Sequence, residues 1–322
     1  MRETMCSLYS AERIRCLRCM QRASVRKAKI RYSEKAMRSL ATISLFLVLL
    51  VCAACGGSSS SSNTTGALNG NWQLNLQQNY PSQQAFSASG FLAESAGTLT
   101  GSIVVPVATD GDCGGVGPVT GTVSGQNVTF SINQGGDILN FTGTVSGSTS
   151  MSGSYQESGA CYLTHPATGT WTAALIPAVS GNFTGAFTNS QYMGLLTGTT
   201  NPAPIQVSGS LFQSSNAGGS QASVSGTITA VGYPCFSTAS LVGTVTGQSL
   251  LLTVYADTGE QIGSLGNVDN PLLVASASGG VSVTGSLTLG GSTESGSFGP
   301  CPPIAGGIVE DHAGAQLTIT SP

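Results

Sequence analysis

The sequence predicts an all-β protein made of two tandem, homologous, antiparallel up-and-down β-barrels of about eight strands each. Short segments alternate apolar and polar residues, as in 127–132, where Val128, Phe130 and Ile132 are the apolar members. Such alternation is typical of half-buried strands. The same motifs also recur in two halves, and single glycines punctuate the predicted strands. A pair of β-sandwiches is the alternative architecture.

Residues 1–54 are predicted to be an address segment, which comprises an upstream basic stretch and a signal peptide. All 11 Lys and Arg residues of the chain lie between Arg2 and Arg38. The apolar run from Leu40 to Val51 is too short to span a hydrocarbon layer, but it has the length of a signal-peptide core. Translation from either Met1 or Met37 fits this pattern.

The segment 37–55 resembles the start of a bacterial lipoprotein precursor. A basic residue precedes the apolar run, and the run ends in the sequence CAAC, in which small residues precede Cys55. Cys52 stands where this family usually has Leu, Val or Ile. The resemblance implies that Cys55 is acylated, with palmitate or a similar chain, and becomes the first residue of an envelope protein anchored to the outer membrane. An ordinary secretory signal cut near Ala54 is the alternative.

Residues 55–67 are predicted to form a lipidated Gly/Ser tether with a reach of roughly 20 Å. Three of the 14 acidic residues precede Cys55, so 11 follow it, without a single Lys or Arg. Nucleic acid is excluded as a partner, because its phosphates are bound mainly by Lys and Arg. Membrane attachment is expected through the acyl chains on Cys55 rather than through basic residues.

Internal repeats divide the rest of the chain into a first β domain, 68–176, and a second, 177–322. For example, VTGTVSGQNVTFSI in the first half returns as LVGTVTGQSLLLTV in the second. Repeats in the same order indicate duplication of one supersecondary unit. Four pairs of matching segments start, in chain order, at Leu68 and Val179, at Leu99 and Val224, at Val119 and Leu241, and at Phe141 and Val283.

Glycines inside the predicted strands favour closed barrels, because isolated strand glycines mark bulges or bends where a sheet curls. The pattern of short, Gly-punctuated strands loosely resembles calycin-type barrels such as avidin, and this resemblance implies architecture only. The glycines in question are Gly101, Gly121, Gly143, Gly226, Gly243 and Gly285.

Four cysteines in the two domains are predicted to form one disulfide in each. Cys113 and Cys235 both follow the third predicted strand of their domain, and Cys161 and Cys301 both follow the seventh. In an up-and-down meander these connections lie at the same end of the barrel. The repeat therefore predicts the pairs Cys113 with Cys161 and Cys235 with Cys301, and export makes their oxidation possible.

No catalytic residue, metal site or cofactor is predicted, since the chain lacks the known nucleophile, zinc and phosphate-loop motifs. His165 and His312 are expected in loops at a barrel mouth, where binding residues are most common. The favoured function is a non-enzymatic binding or structural module of the envelope, with a small apolar ligand or an envelope partner. The alternative is a carboxylate-based hydrolase acting on a glycan, with a pair such as Glu157 and Asp112.

Overall fold

The computed structural model describes residues 68–106, 114–159, 166–216, 218–290, 301–302, 304 and 310–320. The predicted signal peptide, the lipidated Cys55 and the tether lie outside these residues. So do Asp112, Cys113, Cys161 and His165.

The first eight strands form a closed antiparallel barrel, in which each strand pairs with the next and the last pairs with the first. Its inward side chains alternate with exposed ones along each strand, as the sequence predicts. The strands are β1 (Gly70–Tyr80), β2 (Gln84–Ser95), β3 (Thr98–Val105), β4 (Gly115–Ser124), β5 (Asn127–Asn133), β6 (Asp137–Ser146), β7 (Ser150–Gly159) and β8 (Thr168–Ile176).

The second half forms another closed ring, in which its first and last strands also pair. Two short strands share the sixth position, because both pair with the same two neighbours. The elements are β9 (Gly181–Thr188), α1 (Gln191–Thr197), β10 (Ile205–Gln213), β11 (Ala222–Ala230), β12 (Thr238–Thr246), β13 (Ser249–Tyr255), β14 (Gln261–Leu265), β15 (Leu272–Ala277), β16 (Gly280–Leu289) and β17 (Asp311–Thr320). Two tandem eight-position barrels are therefore confirmed, and β-sandwiches are excluded.

The structure corrects one of the four repeat matches. Three matches join strands at the same barrel position, namely β1 with β9, β3 with β11 and β4 with β12. The fourth is wrong by one strand, because Phe141 lies in β6 whereas Val283 lies in β16, at the seventh position. The counterpart of Val283 is Met151 in β7, which pairs with the last strand of its barrel in the same way. Neighbouring strands share a similar Ser, Gly and Thr composition, so the sequence comparison paired β6 with β16 instead of pairing β7 with β16.

Strand glycines allow close approach of neighbouring backbones. Of the predicted bulges or bends, bulges are absent at these six glycines, since strand pairing continues through each of them in register. A Cβ at Gly153 would lie 1.9 Å from the carbonyl oxygen of Thr142, and one at Gly143 would lie 2.9 Å from the Trp171 ring. The Trp171 indole N–H donates to the carbonyl oxygens of Thr142, at 3.3 Å, and Ser154, at 3.1 Å. Gly143 thus makes room for a large aromatic ring inside the barrel, and Gly153 lets two backbones approach closely.

An aromatic cluster fills this part of the first barrel. Phe130 and Phe141 are stacked with their centroids 4.5 Å apart, and Trp171 meets them edge-on at 5.4 and 5.5 Å. All three side chains are buried, and such pairs contribute roughly 0.5–1.5 kcal/mol beyond their area burial. The apolar inward residues that alternation predicts pack here as core.

A turn of the second barrel holds the two barrels together, within one compact unit. Gly247, between β12 and β13, exchanges two hydrogen bonds with the Asn71 side chain, at 2.6 and 2.8 Å. The backbone N–H of Gln248 donates to Oε1 of Gln73 at 3.1 Å. We call this contact the latch. The Asn71 side chain in the latch is buried, so its amide group needs these bonds to satisfy its hydrogen-bond donor and acceptor.

Replacing Gly247 by Ala should break the latch. Gly247 has a φ of +53°, and a Cβ there would lie 2.2 Å from Gln73 Oε1 and 2.5 Å from Ser89 Cβ. Gly125 in the matching turn of the first barrel has a φ of +59° and nothing within 4 Å of its would-be Cβ. Gly125→Ala therefore costs only the left-handed backbone, about 1–2 kcal/mol. Gly247→Ala should cost roughly 1–3 kcal/mol more, as overpacking does, in chemical denaturation. Equal losses for the two variants would contradict the latch.

Candidate functional site

In an up-and-down barrel every second connection between strands lies at the same end of the barrel. In the first barrel this end carries the connections β1–β2, β3–β4, β5–β6 and β7–β8, and we call it the first mouth. In the second it carries β9–β10 with α1, β11–β12, β13–β14 and β16–β17, and we call it the second mouth. The latch turn, β12–β13, belongs to the opposite end of the second barrel.

A buried carboxylate connects several elements of the second mouth. Asp311 is fully buried and accepts hydrogen bonds from the Ser190 hydroxyl at 2.7 Å, from the backbone N–H of Tyr192 at 3.0 Å, and from the Tyr233 hydroxyl. Burial raises the pKa of Tyr233, and the hydrogen bond to Asp311 adds to that effect. The Tyr192 hydroxyl in turn donates to the carbonyl oxygen of Pro302 at 2.8 Å. These bonds fasten α1 and two connections over the mouth.

The disulfide between Cys235 and Cys301 is present as predicted, and it joins two connections of the second mouth. His312 was predicted to lie in a mouth loop, and this prediction is wrong. The residue is the second of β17 and is exposed. Its Nδ1 lies 3.4 Å from the Thr288 hydroxyl. Because Asp311 points inward to its hydrogen-bond donors, strand alternation turns His312 to the outer surface.

The first mouth buries two acids. Asp137 and Glu157 are both inward-facing and lie on the paired strands β6 and β7, as diagonal neighbours, since Leu139 is the residue opposite Glu157. Diagonal neighbours have backbones roughly 7–8 Å apart, within reach of long side chains. Burial raises the pKa of Glu157 to about 7, and the nearby Asp137 charge adds to the shift. A Cβ at Gly159 would lie 2.4 Å from Oδ1 of Asp137, so this glycine makes room for the carboxylate.

The partner of Glu157 in this pair is Asp137, which sequence reasoning missed. Asp112, the partner suggested from sequence, lies outside the described residues. Alternation along β6 places Asp137 on the same face as Leu139 and Phe141, and this pattern is the signal that could have found it. A protonated carboxyl beside a second carboxyl is chemically suited to general acid catalysis.

A groove of about 890 Å³ lies where the two barrels meet. The segment 91–94 of β2 lines one side of the groove. The segment 213–216, which starts at the last residue of β10 and continues into the next connection, lines the other. Phe91 packs partly against the core of the second barrel. Among the described lining residues Glu94 is the one charged side chain, and its backbone N–H donates to Oδ1 of Asn69 at 2.6 Å. We call this feature the inter-barrel groove.

The inter-barrel groove combines the size of a ligand site with a mixed lining of apolar, amide, hydroxyl and carboxylate groups, as ligand pockets commonly do. Sequence reasoning could not find it, because neither barrel forms it alone. Within the part of the chain that the structure describes, no group of three or more His, Cys, Asp or Glu is placed to hold a metal. No described helix is long and apolar enough to cross a membrane.

Comparison with known proteins identifies no family for this chain. No protein-family model matches it, and no curated protein matches it. A crystal structure from Nitrosomonas europaea, described provisionally as AttH, is 11% identical, with 77% of this chain and 91% of that chain covered, at a TM-score of 0.22. At this score the likeness carries no argument about function.

Glu157 should make the protein less stable as pH rises. Its pKa is raised from 4.5 to about 7 in the folded state, so the folded protein holds its proton more tightly than the unfolded chain does. The resulting stability is fully present below pH 4.5 and is lost as pH rises through 7, by up to about 3 kcal/mol. Glu157→Gln should remove this loss in denaturation measured from pH 4 to 8. The exposed Glu260, as Glu260→Gln, serves as control, and a parallel decline in wild type and Glu157→Gln would refute the assignment.

Proposed function

We propose that this protein is a non-enzymatic binding module of the bacterial cell envelope, anchored by lipid, whose ligand site is the inter-barrel groove. The observation that carries the proposal is the groove itself, about 890 Å³ in volume and lined by both barrels. By contrast, the interior of the first barrel is packed with aromatic side chains. A second pocket, lined by β1, β2 and β8, has a volume of about 420 Å³, so the groove is the larger of these two described pockets.

The anchoring part of the proposal rests on sequence. The lipobox-like segment ending at Cys55 implies acylation, and the Gly/Ser tether that follows would hold the barrels away from the membrane surface. The predicted outer-membrane location and the acyl-mediated attachment belong to this proposal. The Cys235–Cys301 disulfide supports export, since disulfides persist in oxidising compartments.

A carboxylate-based hydrolase acting on an envelope or extracellular glycan is the second candidate. The observation that favours it is the pairing of Glu157, with a pKa of about 7, and Asp137 at the first mouth. Both carboxyls are among the buried residues of the barrel, whereas a glycan must reach the acid that protonates it. We therefore rank binding above hydrolysis. Loss of a glycan-cleaving activity in Glu157→Gln, with the fold retained, would reverse this order.

Filling the inter-barrel groove should abolish ligand binding. Ala93 lines the groove and is exposed, so Ala93→Trp should occupy it and weaken binding at least tenfold. Ala275, an exposed residue of β15, gives the matched control Ala275→Trp. A thermal-shift panel of soluble glycans, peptides and small apolar molecules would supply the ligands, with affinities from calorimetry. Ligands that bind Ala93→Trp and Ala275→Trp equally well would place the site elsewhere.

Replacing Cys55 by Ser should release the protein from the membrane. A single thiol would be the acylation site, and without its acyl chains the mature chain has no Lys or Arg with which to hold anionic lipid. Expressed in a bacterial host, the wild type should enter the detergent phase on Triton X-114 partitioning, and Cys55→Ser the aqueous phase. Cys52→Ser is the control and should behave like the wild type. Detergent-phase recovery of Cys55→Ser would end the lipoprotein proposal.

A further inference from the structure

We propose that the ligand of the inter-barrel groove carries a primary amine or another organic cation, which Glu94 binds. This inference rests on the proposed function, since it names the ligand class for the same site. It begins from the charge distribution of the chain. Beyond Arg38 the sequence contains no Lys or Arg, so the acids of the barrels have no ammonium or guanidinium group of their own domain to pair with.

Glu94 is placed to accept a donor from a ligand. It is half-buried at the end of β2, and its Oε1 accepts a bond from the backbone N–H of Gly97 at 3.3 Å. This bond fixes the carboxylate in the turn between β2 and β3 and leaves further acceptor positions, since an ionised carboxylate has about four. Glu94 is also the one charged group among the described residues that line the groove.

The groove disfavours anionic ligands. A phosphate or carboxylate placed there would meet Glu94 at close range, inside a protein whose 11 acids after Cys55 are balanced by no Lys or Arg. Bringing like charges together in a partly desolvated site is costly, whereas a charge-assisted hydrogen bond between an ammonium group and a carboxylate is about twice as strong as a neutral one. A cation would supply the missing counter-charge.

The surroundings of Glu94 suit an amine attached to a small organic body. Gln213 holds the backbone N–H of Val179 through Oε1, at 3.0 Å, so its side-chain N–H groups can bind uncharged oxygens of a ligand. Phe91 and Ala93, which precede Glu94 in β2, add apolar groups to the lining of the groove. Both a free polyamine and the lysine side chain of a peptide provide this chemistry.

The test compares amines with a neutral counterpart on the full mature protein. The probes are spermidine, the peptide acetyl-Leu-Lys-Leu-amide, and the same peptide with its lysine Nε acetylated, measured by calorimetry at low salt. The amine probes should bind the wild type and bind Glu94→Gln about tenfold more weakly, which is the effect expected for one charge-assisted bond. Gln keeps the oxygen that accepts from Gly97, so the turn should persist. The control Glu260→Gln removes an exposed acid far along the chain and should bind like the wild type.

The outcomes test separately whether the ligand is a cation and whether it binds in the inter-barrel groove. Binding of spermidine alone identifies a free polyamine as the source, and binding of the lysine peptide identifies a side chain; either result, if lost in Glu94→Gln, supports the inference. Equal binding of the acetylated peptide, equal loss in Glu260→Gln, or no binding of either amine probe overturns it. In those cases ligands of the thermal-shift panel that Ala93→Trp excludes would still support the groove as the site. Any ligand that binds the wild type and Ala93→Trp equally well would refute the groove.

Discussion

Closure of each sheet is the constraint on which the rest of this structure depends. When β8 pairs with β1, and β17 with β9, no strand edge remains to be covered, and the inward face of every strand must share one narrow interior. That interior holds only a limited volume of side chains. Gly143 is therefore needed where Trp171 crosses the first barrel, and the aromatic rings there pack edge-on and stacked. The inter-barrel groove lies outside this filled interior.

Electrostatics acts on this fold in an unusual way, because the barrels contain acids and no Lys or Arg. The local surroundings of each buried acid either donate hydrogen bonds to its carboxylate or raise its pKa. Asp311 accepts from hydroxyl and backbone donors, and these bonds join α1 and the β11–β12 connection to β17. Glu157 shifts its pKa towards neutrality, because burial and Asp137 both oppose its ionisation. Glu94 is only half-buried and lines the groove. Stability must come from backbone pairing, apolar burial, hydrogen bonds and the disulfide.

Much of the architecture could be predicted from sequence. The alternation of apolar and polar residues along a strand has a period of two, which is recognisable even in a sequence dominated by Gly, Ser and Thr. The eight strands of the first barrel, the closed architecture of both halves and the Cys235–Cys301 bond were predicted in this way. The errors came from features that depend on neighbouring strands. The match of Phe141 to Val283 slipped by one strand because Ser, Gly and Thr recur in every strand. His312 was expected in a loop because sequence does not show that Asp311 begins a strand.

The sequence by itself determined that the chain is all-β, that it consists of two repeats, and that its folded part carries a negative charge without Lys or Arg, because these are properties of composition and short-range pattern. Tertiary structure alone decided which acids meet, how Gly247 holds Asn71, and where a groove opens between the barrels. Asn71 and Gly247 lie 176 positions apart. No local pattern encodes their contact, since it depends on the packing of two closed barrels against each other.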